Sequence, residues 1–172
     1  MNNLIRLNAS GAELVQDDPW TLALESIEAD GTLQILSLDA WLAAQPTEVL
    51  NGHTVSKDAI CLQPDDDAIR LQHYLSVLPL IAVLFPDFRD GRGYSQAYLL
   101  RTRIGWQGEL RAVGDVLRDQ LSHLYQCGFN EFAIRADKSA ADALKGLGGT
   151  SVLYGRSAVE PRPLYRHRGD AC

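Results

Sequence analysis

From residue 59 onward, short apolar runs alternate with stretches of helical periodicity. Ala59–Gln63 reads as a strand, Pro64-Asp65-Asp66-Asp67 as a loop and helix cap, and Ala68–Leu78 as a helix. Leu80–Phe85 is apolar throughout, the mark of a strand buried on both faces. The spacing then predicts a helix over Ser95–Ile104, with Ala97, Leu100 and Ile104 on one side, and a strand over Glu109–Val113. Asp115–Cys127 is the clearest helix, with Leu117, Leu121 and Leu124 as its stripe and Gly128 just past its end. A strand over Glu131–Arg135, a helix over Ser139–Leu147 and a last strand over Ser151–Tyr154 complete the rhythm.

Consecutive βα units with short connections imply a largely parallel sheet covered by helices, either doubly wound or open and barrel-like. The charges lean toward the second geometry. Glu109 and Arg111 share one face of their strand, and Glu131 and Arg135 share one face of the next. Strands covered on both sides seldom carry such residues, whereas a concave, partly open face accommodates them; strand ends displaced by two residues explain them equally well.

The first 50 residues follow a different pattern. Leu22–Ile27 and Thr32–Leu36 read as strands joined by a hairpin turn at Glu28-Ala29-Asp30-Gly31. Ser37 starts a short helix that Pro46 closes, and Asn51-Gly52 marks a turn. The chain thus divides into a hairpin-like arm over 1–57 packed on the main domain, an α/β core over 58–160 and a flexible tail over 161–172.

Charge is unevenly shared. Residues 1–68 hold twelve of the 22 acids but only two of the 16 bases, Arg6 and Lys57. Thirteen of the bases are arginine, the residue suited to forked recognition of oxyanions. The acidic amino-terminal part argues against nucleic-acid binding. No run is long enough for a membrane span, and Met1-Asn-Asn-Leu-Ile-Arg6 lacks the features of a secretory signal, so a cytoplasmic location is expected. Cys61, Cys127 and Cys172 have no disulfide, zinc or cluster spacing, and His53, His73, His123 and His167 no metal-ligand spacing. No residue set nominates a metal or a cofactor.

Chemistry concentrates in Asp87-Phe88-Arg89-Asp90-Gly91-Arg92-Gly93-Tyr94-Ser95, between an apolar strand and a helix. Loops leaving the carboxyl ends of parallel strands are where ligands bind. Gly91 and Gly93 permit a tight path, Ser95 is a helix cap, and Arg89 and Arg92 supply forked donors. Arg111, from the next strand, is expected at the same mouth, while Asp90 and Tyr94 are the candidates for proton transfer. The set reads as an oxyanion or phosphate loop; a tight turn with solvated arginines reads equally well. Gly91-Arg-Gly93-Tyr-Ser-Gln96 lacks the third glycine of a dinucleotide loop, and no Gly-Lys-Ser/Thr is present. Arg111 could also pair internally with Glu109, and Asp115 could cap its helix.

Leu78-Pro-Leu-Ile-Ala-Val-Leu-Phe-Pro-Asp-Phe-Arg-Asp-Gly-Arg-Gly-Tyr-Ser95, Leu99-Leu-Arg101, Gly108-Glu-Leu-Arg-Ala-Val-Gly-Asp115, Asp119-Gln120 and Cys127-Gly-Phe129 resemble the bacterial family called domain of unknown function 934, densely over about residues 58–137. The resemblance implies an accessory protein, or an oxidoreductase, of assimilatory sulfite reduction. It also implies sulfite reductase or phosphoadenylyl-sulfate reductase as partner and a small oxyanion as ligand. The residues themselves add no flavin, nicotinamide or Cys-x-x-Cys fingerprint to support redox chemistry. An accessory protein, a small enzyme acting on an anionic sulfur or phosphate compound, and an interaction module with a purely structural loop are the three readings.

Overall fold

The computed structural model describes residues 3–25, 31–147, 156–163 and 166. Their strands form one eight-stranded sheet, curled into a half-barrel, in the order β2-β1-β8-β7-β6-β5-β4-β3. The strands are β1 (Leu4–Asn8), β2 (Gly11–Val15), β3 (Trp20–Ala23), β4 (Leu33–Ser37), β5 (Ala59–Leu62), β6 (Leu80–Phe85), β7 (Glu109–Gly114) and β8 (Glu131–Ala133). Strands β3 to β8 pair in parallel, and β1 is antiparallel to both β2 and β8.

Connectivity alone requires the curl. β2 and β3 occupy opposite edges of the sheet, yet only Gln16-Asp17-Asp18-Pro19 joins them. Laid flat, eight strands would separate those edges by about 34 Å. Five peptide steps reach at most about 18 Å. The edges must therefore bend toward each other, with the four-residue strap crossing the inner face.

Outer-face side chains such as Ile5, Leu36, Ile60, Leu62, Ile81, Val83, Phe85, Leu110, Ala112 and Phe132 pack beneath the helices in the larger core. Ile35, Ala59, Cys61, Leu80, Ala82 and Val113 face inward, joined by Trp20 and Leu22. The strand charges belong to the inner face as well. Arg111, with no exposed side-chain surface, donates from Nη1 and Nη2 to the Asp18 carboxylate at 2.8 and 2.9 Å. Its Nε donates to Glu131 at 2.7 Å, and Arg6 holds the other oxygen of Glu131 at 2.7 Å. The Arg111–Asp18 pair fixes the strap to the middle of the sheet.

The helices are α1 (Leu38–Ala44), α2 (Thr47–Leu50), α3 (Arg92–Leu99), α4 (Leu121–Gln126) and α5 (Ala140–Ala143). Ser37 caps α1 and Ser139 caps α5, each accepting from a backbone N–H of the first turn. Gly128 ends α4 at φ 103°. Arg101 binds the opposite, amino-terminal edge together, donating to the carbonyls of Trp106, Gly108 and Gly128 at 2.8–2.9 Å.

Three expectations change. The hairpin belongs to β1 and β2, because β3 and β4 pair in parallel. Apolar alternation marks a strand and its faces but reads the same in either direction. The expected turn residues Glu28–Asp30 and the expected strand Ser151–Tyr154 lie outside the described residues. The helix expected over Ala68–Leu78 is only a 3-10 turn, Ala68–Leu71, capped by Asp67, followed by turns. The helix expected over Asp115–Cys127 begins later, with a 3-10 turn at Arg118–Gln120 leading into α4, because Asp115 is held elsewhere.

Removing one partner of a buried ion pair strands the other charge, at a cost of about 3–5 kcal/mol. Asp18→Ala is expected to lose stability in that range in urea denaturation, while Asp18→Leu combined with Arg111→Met recovers part of it, since Glu131 then keeps only Arg6. An Asp18→Ala chain as stable as the parent would show that the strap is not held by this pair.

Candidate functional site

Loops from β5, β6, β7 and β8 meet at the carboxyl edge of the sheet, and the β6 loop is tied to its neighbours on both sides. The Asp115 carboxylate, just beyond β7, accepts from Phe88 N–H at 2.9 Å and from Arg135 Nη1 at 2.6 Å. Gln120 donates from Nε2 to Phe88 O at 3.1 Å and to the Tyr94 hydroxyl at 3.2 Å. Gln96 donates from Nε2 to Gln63 O and Asp66 O, both at 2.8 Å, linking α3 to the β5 loop. Its buried Oε1 has no protein partner among the described residues.

Glycines make this closeness feasible. At Gly114, φ is +96°, and a Cβ would stand 2.3 Å from the carbonyl oxygen of Phe85. At Gly93, a Cβ would stand 2.7 Å from the buried Phe85 ring. Gly91 is the residue before α3, and the Asp90 carboxylate accepts from Arg92 N–H at 3.0 Å. Ser95 does not cap this helix. Because α3 starts at Arg92, Ser95 is its fourth residue and exposed.

The loop arginines close on nearby acids. Arg89 forms a forked pair with Asp87 at 3.0 Å and lies 5.7 Å from the centre of the Phe88 ring. Arg92 pairs with Asp90 and reaches across to Asp65. Arg89 holds the Asp87 carboxyl down to about 2, by side-chain and then backbone hydrogen bonds. Arg92 lowers Asp90 in the same way. Tyr94 turns toward α4 instead: its ring packs edge-on against Phe85 at 5.1 Å and stands 4.6 Å from His123, and burial raises its pKa. Asp90 and Tyr94 thus face different neighbours.

Arg111 is not brought to this loop. It is sealed in the inner face with Asp18 and Glu131, where the Glu109 alternative is also unused. Glu109 accepts instead from Asn130 Nδ2 at 2.6 Å. The third arginine of the carboxyl edge is Arg135, which forks onto Asp137 and reaches Asp115. Nothing in the spacing of the charges pointed across chain to that contact, although Arg135-Ala-Asp137 repeats the two-residue separation of Asp87-Phe-Arg89 and Asp90-Gly-Arg92. Among the described residues, no group of three or more His, Cys, Asp or Glu side chains gathers as a metal site.

A curled, mostly parallel α/β sheet with a charged, cross-tied carboxyl edge defines the class of protein. The model of the family described as bacterial protein of unknown function, DUF934, matches residues 59–165, and the chain belongs to that family. No curated protein and no solved structure matches it. No helix among the described residues is long and apolar enough to cross a membrane.

Two outcomes test this geometry. Gly114→Ala combines a strained backbone with a backbone clash and is expected to cost about 2–4 kcal/mol in thermal or chemical unfolding. Asp87, with its folded pKa below the ordinary value of about 3.9, binds protons more readily when unfolded, so its contribution is complete above about pH 4 and disappears as the pH falls toward 2. Carboxyl NMR should give Asp87 a midpoint of about 2, moving up toward about 3.9 in Arg89→Gln. An unmoved midpoint would break the assignment to Arg89.

Proposed function

We propose that the protein is an accessory protein of assimilatory sulfite reduction that binds a small oxyanion at Arg89, Gly91, Arg92, Gly93 and Ser95. The observation that carries this reading is the state of Arg92. Its guanidinium is exposed at the start of α3, and one partner, Asp65, has 93% of its side-chain surface exposed. Exposed pairs of this kind contribute only about 0–1 kcal/mol, so an incoming oxyanion displaces Asp65 at small cost while the tied loop stays in place. The pathway is supported by the resemblance over Leu78–Ser95 and Gly108–Asp115. It makes sulfite reductase or phosphoadenylyl-sulfate reductase the expected partner and the cytosol the expected location.

A binding role fits better than an enzymatic one. Asp90 is held ionised by Arg92 and Tyr94 is held neutral by burial, and the two look toward different elements. A proton relay at one ligand would need them together. Arg111, with its donors engaged by buried carboxylates, is not part of the proposed anion site.

The test is a thermal-shift titration with sulfite and sulfate, run beside Arg92→Ala. At ten times its Kd, a bound anion stabilises by about 1.4 kcal/mol, a shift of roughly 3–6 °C for a chain of this size. Arg92→Ala should abolish the shift without lowering the unliganded midpoint by more than about 4 °C. Equal shifts in both proteins would overturn the loop as the anion site. Co-purification with sulfite reductase, strongest at low salt, tests the pathway separately.

A further inference from the structure

The inner face of the half-barrel ends at its carboxyl edge in a cleft of about 320 Å³. Val113 and Ala133 line it, each two residues beyond, and on the same face as, the buried Arg111 and Glu131. Leu22 of β3 and Asn3 beside β1 line the same cleft, although five strands separate β1 from β3 in the sheet. The cleft therefore spans the mouth of the concave face rather than following a groove between neighbouring strands. Its volume is within the range of small-ligand pockets, about 300–1,000 Å³, and its position is where parallel sheets bind ligands.

The lining limits what fits. Leu22, Val113 and Ala133 make an apolar floor, and Gly114 leaves the rim without bulk. Asn3 is already used: its Nδ2 donates to the carbonyls of Ile134, Arg135 and Lys138, and its Oδ1 accepts from Ala140 N–H. Arg135 is different. Its guanidinium carries five N–H groups, of which three are engaged by Asp137 and Asp115, leaving two. Among the described residues Arg135 is the one charged residue of the lining, and behind it Asp115, Asp137 and Lys138, 3.5 Å from Asp137, make with it two bases and two acids. Such a rim neither repels one negative charge nor specially attracts two.

We infer that this cleft is a second ligand site, taking a small aromatic or aliphatic acid whose apolar body rests on Leu22, Val113 and Ala133 and whose single anionic head accepts from Arg135. The site is separate from the Arg92 loop and stands whether or not that loop binds anions.

The probe is 1-anilinonaphthalene-8-sulfonate, an apolar ring system with one sulfonate, followed by fluorescence titration and by backbone amide shifts in NMR. Saturable one-to-one binding is expected, with the largest shifts at Leu22, Val113, Gly114 and Ala133. Ala133→Leu fills the floor and Ala136→Trp, at an exposed rim position, obstructs the entrance; each should weaken binding at least tenfold. Binding should be the same with and without saturating sulfite, the anion proposed for the Arg92 loop. N-phenyl-1-naphthylamine, which lacks the sulfonate, should bind several-fold more weakly, and equal affinity would remove Arg135 from the site. No saturable binding, undiminished binding in the folded Ala136→Trp chain, or shifts centred on the exposed Phe88 and Tyr125 would overturn the site altogether.

Discussion

Everything about this fold leans on a carboxylate in a four-residue connection. The Asp18 side chain meets the Arg111 guanidinium with both partners fully buried, 93 residues apart in sequence. Buried ion pairs are poor sources of stability, since desolvation consumes most of the Coulombic gain. Their value here is geometric. A strap of apolar residues could slide over the inner face of a curled sheet, whereas two parallel N–H···O bonds admit one placement. Glu131 and Arg6 extend the same network to β8 and β1 and bring its formal charge to zero. The position of β1, which among the described residues runs against the parallel set and joins it to β2, is thereby coupled to the strap that leaves β2.

The carboxyl edge follows from this closure. With the sheet curled, the ends of β6, β7 and β8 come near enough for single side chains to bridge their loops. Asp115 joins the β6 loop to Arg135, Gln120 holds that loop from the α4 side, and Gln96 ties α3 to the loop after β5. Each of these polar groups is at least partly buried and fixed by backbone partners, so the edge is ordered before any ligand arrives. Preorganisation of this kind lowers the entropy cost of binding. Phe88 is 49% accessible although its backbone N–H and carbonyl are both held.

Much of the core was legible because its signals are local. Leu80–Phe85 is bounded in the structure as the apolar run suggests, Ser37, Asp67 and Ser139 cap as their positions imply, and Gly128 follows α4 with positive φ. Even the curl left a trace, in the charges of Glu109-Leu-Arg111 and Glu131 on strands that should have been apolar. What stayed hidden was long-range. Asp17-Asp18-Pro19 looks like any solvated turn, and only the strand order shows that it must cross the sheet. The same holds for the site: the loop glycines and arginines could be picked out by type, but whether Arg111 opened on the mouth or into the interior depended on a partner nearly a hundred residues earlier.

Five of the arginines illustrate three uses, distinguished by what the guanidinium touches. Arg101 donates to backbone carbonyls at the amino-terminal edge and cannot accept an anion without abandoning them. Arg111 is committed to carboxylates in the interior. Arg89, Arg92 and Arg135 are held by acids within two residues of themselves, on surfaces that water reaches. In water-exposed pairs an external anion competes on nearly equal terms with the internal one. Exposed pairs also hold Arg70 to Asp39 and Arg118 to Asp142, across the chain, whereas Arg89, Arg92 and Arg135 each take an acid two residues away. These last three stand on loops that Asp115 links directly, since one of its oxygens holds the backbone beside Arg89 and the other holds Arg135.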